Sequence, residues 1–187
     1  MRVPYNKSGS GQLKMQNMRG FTVIEVLLVV TIMAILVSLA VPSFKNSIRD
    51  NKVETAANAL MSGFAIARNE AIRRGVNVNI CAVADPTVTT PVCGTNWALG
   101  WAIFIDGTGG TANVIDAGEV FRVGDAASSV TITGGVTALK TFNNRGTVTT
   151  GSGDLIINST SCTSGVNKKI TVTLGPVGRT QTTVAKC

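Results

Sequence analysis

Hydrophobic positions divide the chain into an uninterrupted apolar run, an amphipathic stretch and a β-prone remainder. The run covers residues 21–41, and its 21 residues at about 1.5 Å each span roughly 30 Å, which is enough to cross a bilayer core. It carries one charged side chain, Glu25. A carboxylate at membrane depth is costly, so an acid kept there usually has a function.

The stretch after Pro42 predicts that the helix continues beyond the apolar run. Apolar residues recur at the spacing of one helix face, at Ile48, Val53, Ala56, Ala57, Leu60, Phe64, Ala67 and Ala71. Gly75 follows two arginines and is a suitable helix stop, because cations and then glycine favour the C-terminal end. Pro42 has no N–H and is expected to kink the helix near the membrane surface.

The remainder is rich in β-branched residues and is broken by Gly, Asn, Asp and Thr, which predicts short antiparallel strands. The strand candidates are residues 76–80, 97–105, 120–123, 129–133, 137–142, 155–158, 169–174 and 180–184, the last pairing with the one before it. Residues 107–118 form the most loop-like segment. The expected fold class is α+β, with a long N-terminal helix, half transmembrane and half amphipathic, packed on antiparallel sheet.

Charge indicates how the chain is oriented. The net charge is +7, and four of the positive charges lie in residues 1–20, which have no acidic residue, so the remainder carries only +3. This mild excess does not by itself indicate nucleic-acid binding. Positive residues before an apolar run favour a cytoplasmic N-terminus, so residues 43–187 are expected to be exported.

The apolar run has two simpler interpretations. An ordinary secretory signal could be cleaved near Ser38-Leu39-Ala40, but its apolar region is typically about 7–15 residues long and has no internal acid. A plain membrane anchor is the other, and Glu25 argues against it because an anchor needs no carboxylate.

The four cysteines all lie in the exported part, and the chain has no histidine. An even count outside the cytoplasm suggests two disulfides with three possible connectivities. Cys81–Cys93 and Cys162–Cys187 are favoured because each closes a local loop. A zinc site is disfavoured, since no pair has the tight spacing of a metal knuckle.

Residues 20–25, Gly-Phe-Thr-Val-Ile-Glu, resemble the processing site of type IV prepilins and pseudopilins. The resemblance implies cleavage between Gly20 and Phe21 by a prepilin peptidase, removal of the leader 1–20, and N-methylation of Phe21. It also implies that Glu25, the fifth mature residue, guides subunit docking, and that Pro42 is the helix-kinking proline of many members. Residues 21–42 would then be the transmembrane and assembly helix, and 43–187 a periplasmic pilin-like domain.

The exported part is similar to the GspH/FimT group of minor pilins and pseudopilins. The similarity lies in residues 100–106, 118–122 and 142–146 and in Gly178-Arg179. It implies a minor pilin of a type IV pilus, FimU-like, that helps to initiate assembly or form the tip complex in twitching or adhesion. Its implied partners are other minor and major pilins, the inner-membrane assembly platform and the membrane. Its implied location is the bacterial inner membrane and afterwards the pilus or pseudopilus.

Two other functions stay open on the sequence. One is a minor pseudopilin of type II secretion. The other is a DNA-binding minor pilin for natural transformation, for which the candidate contacts are Lys168, Lys169, Arg179 and Lys186. The DNA-binding branch has a second arginine two residues after the first, where this chain has Gln181. A solvated sheet edge explains the same basic residues, because edge strands commonly carry lysine.

Other candidate chemistry is weak. Asp106, Asp116 and Glu119 lack the alternating spacing of a calcium loop and are interpreted as a turn-rich connection. Trp97 and Trp101, four apart, would share a face of one strand and pack in the core or an interface. No motif places two acids around a cleft, so the sequence predicts neither an enzyme nor a cofactor or metal site.

Overall fold

The computed structural model describes residues 21–107, 110–135 and 137–187. Residues 1–20, which the sequence predicts to be a leader and which include Gly20, lie outside the described residues. The chain divides into two units between Val41 and Pro42, and each is described by itself.

One long helix, α1, covers Val23–Arg74. The amide of Glu25 donates to Thr22 Oγ1 at 3.3 Å, so the threonine hydroxyl caps the first turn. The helix ends before Gly75, which has φ 71° and donates its amide to the carbonyl of Ala71 at 3.0 Å. The predicted stop at Gly75 is confirmed. The helix assignment continues through Pro42, so the proline does not end it.

Nine strands and one short 3-10 helix, Trp97–Leu99, follow in the described part of the chain. The strands are β1 Val78–Ala82, β2 Trp101–Phe104, β3 Val120–Gly124, β4 Val130–Gly134, β5 Leu139–Phe142, β6 Val148–Thr150, β7 Gly153–Ser159, β8 Lys168–Leu174 and β9 Thr180–Lys186. They form two antiparallel sheets, one of order β3-β2-β1-β5-β6 and the other of order β4-β7-β8-β9. The predicted α+β class is confirmed, with two sheets where the strand pattern had suggested one.

The helix stripe and both sheets share one hydrophobic core. Val53, Leu60 and Phe64 of α1 are almost fully buried and belong to the same cluster as Ile80 of the first sheet and Leu155 of the second. Burying such a side chain stabilises the fold by about 1.5–3 kcal/mol relative to leaving it exposed. This core holds the two sheets against the amphipathic half of the helix.

Two local predictions differ from the structure, and one strand was missed. The helix pattern predicts Ile48 on the buried stripe, but Ile48 is 42% exposed, because the stripe begins further along the helix at Val53. Trp97 and Trp101 do not share a strand, since Gly100, with φ 132°, separates the 3-10 helix from β2. Strand β6 was not predicted, because its three residues are too few to show a period of two. Both tryptophans are nevertheless buried, as core packing requires.

Candidate assembly and binding surfaces

The N-terminal part of α1 presents an apolar surface that none of the other described residues covers. All of its large hydrophobic side chains from Val23 to Val41 are exposed, by 43–79%. By length and composition this part of the helix can cross a membrane. Water-facing exposure of so much apolar surface is unfavourable, which indicates that lipid or other apolar helices cover it.

Glu25 lies in the first turn of this helix, and Phe21 is 82% exposed. Thr22 and Glu25 have the spacing of a capping box, in which a threonine hydroxyl accepts from the amide three residues later. The pattern Thr-x-x-Glu is legible in the sequence, so the capping role of Thr22 is one that sequence reasoning missed. An acid in the first turn also interacts favourably with the helix dipole.

Each disulfide closes one of the loops expected from the sequence. Cys81 in β1 is bonded to Cys93, with 5.7 Å between their Cα atoms, and Gly94 donates its amide to the carbonyl of Ala82 at 2.7 Å. Cys162 is bonded to the last residue, Cys187. The first pair secures the segment after β1, and the second ties the residue that follows β9 to the loop between β7 and β8.

The four basic residues near the C-terminus do not form one patch. Lys168 and Lys186 are register partners at one end of the β8–β9 hairpin, whereas Leu174 and Thr180 are partners at the other, next to Arg179. Six residues of strand separate the two ends, or about 20 Å. A DNA-binding surface made of all four would have to follow the whole hairpin.

Two of these lysines are already engaged in structural contacts. Lys168 Nζ forms an ion pair with Glu54 Oε1 at 2.5 Å, and this hydrogen bond raises the pKa of Lys168. Lys186 Nζ donates to the carbonyl of Val166 at 2.7 Å. Arg179 is exposed and Lys169 is partly buried. The ion pair and the contact to Val166 engage both ammonium groups within the fold, so neither is free for a ligand without giving up its partner.

The Gly178-Arg179 turn packs against a second turn at the C-terminal half of α1. A Cβ atom on Gly178 would collide with the carbonyl oxygen of Gly146, and Val148 donates its amide to the carbonyl of Pro176 at 2.9 Å. The same Gly146 carbonyl accepts from Arg68 Nε at 3.0 Å. The turn residues that resemble the GspH/FimT group therefore join the two sheets and the helix.

Asp106, Asp116 and Glu119 organise a loop in the way predicted for a turn-rich connection. Glu119 accepts from the amides of Asp116 at 3.0 Å and Gly107 at 2.5 Å, and these hydrogen bonds lower the pKa of its carboxyl group. Asp116 accepts from the amide of Thr111 at 2.7 Å. Within residues 21–107, 110–135 and 137–187, no group of three or more acids, cysteines or histidines is placed to hold a metal.

Two hollows of mixed polar and apolar lining flank the helix stripe. The larger, of about 620 Å³, lies between α1 and the segment after β3 and includes Trp101 and Arg122. The smaller, of about 320 Å³, lies between three cations of α1 and hydroxyl side chains at the edge of the second sheet. Neither combination corresponds to a catalytic arrangement, and both are available as contact surfaces.

A long helix with an exposed apolar N-terminal half, packed through its C-terminal half on antiparallel sheet, defines the pilin class of filament subunits. Residues 15–41 match the prokaryotic N-terminal methylation motif. Residues 56–178, about two thirds of the chain, match the family described as type II transport protein GspH. The chain belongs to that family, whose members are structural subunits of type IV pili or type II secretion systems and assemble with other pilins.

The fold is similar to two crystal structures of the type IV minor pilin FimU of Pseudomonas aeruginosa PAO1, in space groups P21 and P65. The TM-scores are 0.52 and 0.50 at 21% sequence identity in both cases. The similarity covers 70% of this chain and 87% and 91% of the two FimU chains. A comparison with curated protein sequences gave no match.

Proposed function

We propose that this chain is the precursor of a minor pilin of a type IV pilus. The observation that carries the proposal is the exposed apolar half of α1, which lies within the methylation motif of residues 15–41 and holds one acid, Glu25. A bundle of such helices is as apolar as lipid, so subunits can leave the membrane for a filament without losing hydrophobic burial. The fold shared with FimU supports a pilus as the filament.

Processing would convert the precursor into the assembly-competent subunit. Cleavage between Gly20 and Phe21 by a prepilin peptidase removes the leader 1–20 and frees the amine of Phe21, which is then methylated. Glu25 lies about one helical turn from that amine and can pair with it on the same or a neighbouring subunit. In the low-dielectric core of a filament such a pair defines the register between subunits.

The mature subunit would wait in the bacterial inner membrane with its N-terminus in the cytoplasm and residues 43–187 in the periplasm. The assembly platform then moves it into a growing pilus, where the sheet unit contacts other minor and major pilins. Pro42, within the helix at the end of the apolar run, is placed where a local bend can adjust that packing. We also propose a role in initiation or at the tip, which the fold shared with a minor pilin supports.

A pseudopilin of type II secretion is the second candidate, because the matching family is described as a type II transport protein. Deleting the gene and scoring surface piliation, twitching, secretion and transformation in parallel separates the two. Loss of piliation and twitching with normal secretion is expected. Loss of secretion alone would assign the chain to the secretion system, and loss of transformation alone would indicate a DNA-uptake role.

A further inference from the structure

Three cations of α1 face one small pocket at the start of the exported unit. Lys45, Arg49 and Lys52 line it together with the side chains of Ser129, Ser159, Thr160 and Ser161. Positions 45, 49 and 52 follow one another at i, i+4 and i+7, so they lie on one face of the helix. None of the described residues that line the pocket is acidic.

The nearby acids of the helix are engaged elsewhere. Asp50 accepts from the amide of Lys168 at 2.9 Å, and Glu54 forms the ion pair with Lys168. Positions 50 and 54 lie on the opposite side of α1 from the three cations, since each residue turns the helix by about 100°. No ion pair within the described ranges includes Lys45, Arg49 or Lys52.

The opposite wall of the pocket is made of hydroxyl groups held in place by the backbone. Ser129 has φ 64°, and its carbonyl accepts from the amide of Thr160 at 3.1 Å. Its hydroxyl accepts from Lys52 Nζ at 3.4 Å. Ser159 is 2% exposed, and its hydroxyl accepts from the amide of Ser161 at 3.4 Å. Cations on one wall and hydroxyls on the other suit an anion that also carries hydroxyl or ester oxygens.

The position of the pocket along the chain indicates which anion meets it. Lys45 is four residues beyond the apolar run that ends at Val41, or about 6 Å of helical rise. The polar headgroup layer of a bilayer is about 5–8 Å thick on each side. Arg49 and Lys52 follow eight and eleven residues after Val41, or about 12 and 16 Å of helical rise. Lys45 is therefore the nearest of the three to the headgroups, and the lean of helical side chains toward the N-terminus shortens the distance for the other two.

We propose that this pocket binds the headgroup phosphate of an anionic phospholipid while the subunit is anchored in the membrane. The inference rests on the membrane-anchored state of the proposed function. Lys45 and Arg49 hold the phosphate, and Lys52 with the serine and threonine hydroxyls receives the rest of a hydroxylated headgroup such as that of phosphatidylglycerol. Moving into a filament replaces this contact by contacts to other subunits.

The test uses the mature full-length chain in detergent, offered equal amounts of dioleoyl-phosphatidylglycerol and dioleoyl-phosphatidylcholine. Lipid retained by the protein is counted by native mass spectrometry. We expect phosphatidylglycerol to be retained in preference. The triple variant K45Q/R49Q/K52Q should retain about tenfold less phosphatidylglycerol than the parent chain, or less still, since each surface cation contributes about a fivefold factor for an anionic lipid.

The matched control is R145Q/K169Q/R179Q, which removes three positive charges outside the pocket and should retain phosphatidylglycerol within about twofold of the parent chain. Equal losses in both triple variants would show that net charge, and not the pocket, holds the lipid. Equal retention of the two lipids by the parent chain would also overturn the proposal. Displacement of the lipid by millimolar inorganic phosphate would assign the pocket to a free anion instead.

A second variant keeps the test decisive if the triple variant does not fold. Ser161 is exposed, so Ser161→Glu should fold and lower phosphatidylglycerol retention by repelling the phosphate. Ser152→Glu, at an exposed position outside the pocket, should leave retention unchanged. If the parent chain shows no lipid selectivity but deleting its gene abolishes piliation, the lipid proposal fails and the minor-pilin proposal stands. If the parent chain is selective but deleting its gene has no pilus phenotype, only the minor-pilin proposal fails.

Discussion

Arg68 Nε donates a hydrogen bond of 3.0 Å to the carbonyl oxygen of Gly146. This contact joins the C-terminal half of the helix to the turn between β5 and β6, and Gly178 of the β8–β9 turn packs against the same carbonyl. One oxygen atom thus lies where the helix and both sheets meet. The glycines of the two turns, which resemble the GspH/FimT group, are accounted for by this packing.

Gly178→Ala should destabilise the fold more than Gly165→Ala. Both glycines have positive φ, 75° and 71°, so alanine is strained at either site, by about 1–3 kcal/mol. Only at Gly178 would the new Cβ also collide with the Gly146 carbonyl, since nothing lies within 4 Å of the corresponding position at Gly165. Thermal unfolding followed by near-UV circular dichroism measures the difference. Equal melting temperatures for the two variants would contradict the close packing of Gly178 against the Gly146 carbonyl.

Lys140→Met should stabilise the protein near neutral pH. Lys140 is fully buried, and its Nζ has no hydrogen-bond partner in the described part of the chain. An unsatisfied buried polar group costs about 1–3 kcal/mol, more when it is charged. We expect a gain of that size in the free energy of unfolding, measured by denaturant titration, with little change for Lys169→Met on β8.

The same lysine should make stability depend on pH. Burial lowers the pKa of Lys140 in the folded state from its ordinary 10.5. Between the lowered pKa and the unfolded value the unfolded chain binds more protons, so stability should rise as pH increases through that window. Repeating the denaturant titration at several alkaline pH values measures this slope. A slope that persists unchanged in Lys140→Met would mean that another group is responsible.

Peptide mapping without reduction should recover Cys81 linked to Cys93 and Cys162 linked to Cys187. Replacing both members of either pair by serine should lower the melting temperature, since loops of this size contribute about 2–4 kcal/mol when closed by a disulfide. Recovery of a crossed pairing would contradict the connectivity. A melting temperature unchanged by the serine variants would contradict the stabilising role.

Glu25→Gln should block incorporation into pili without preventing membrane insertion, because the amide keeps the size of the side chain but not its charge. Immunoblots of sheared pili and of membranes measure the two properties. Glu25→Asp is the charge-preserving control and should incorporate to some extent. Normal incorporation of Glu25→Gln, or a mature N-terminus other than Phe21, would remove the basis of the proposed assembly step.

The mature chain should not retard DNA in a gel assay at low salt. Its variants Arg179→Ala and K168A/K169A should therefore give the same DNA migration as the parent chain. A few phosphate contacts give weak, salt-sensitive binding, and here the basic residues stand at opposite ends of the β8–β9 hairpin. DNA retarded by the parent chain and released by Arg179→Ala would instead support a DNA-uptake pilin.

The sequence by itself determined the long helix and its stop at Gly75, and it favoured the two local loops that the disulfides close over the other two connectivities. These features depend on local spacing, such as the 3.6-residue period and the positive φ that glycine adopts after a helix. It also indicated most strands, because alternation and turn residues act over a few positions.

Only the tertiary structure decided how the strands divide into two sheets and which distant side chains meet. Strand partners are selected by non-local packing, which a single sequence does not display. For that reason Arg179 is separated from Lys168, Lys140 is buried, and Ser129 and Ser161 face Lys45 and Lys52 across one pocket. Each of these relationships joins residues far apart in the chain, and each exists because the helix and both sheets bury one common core.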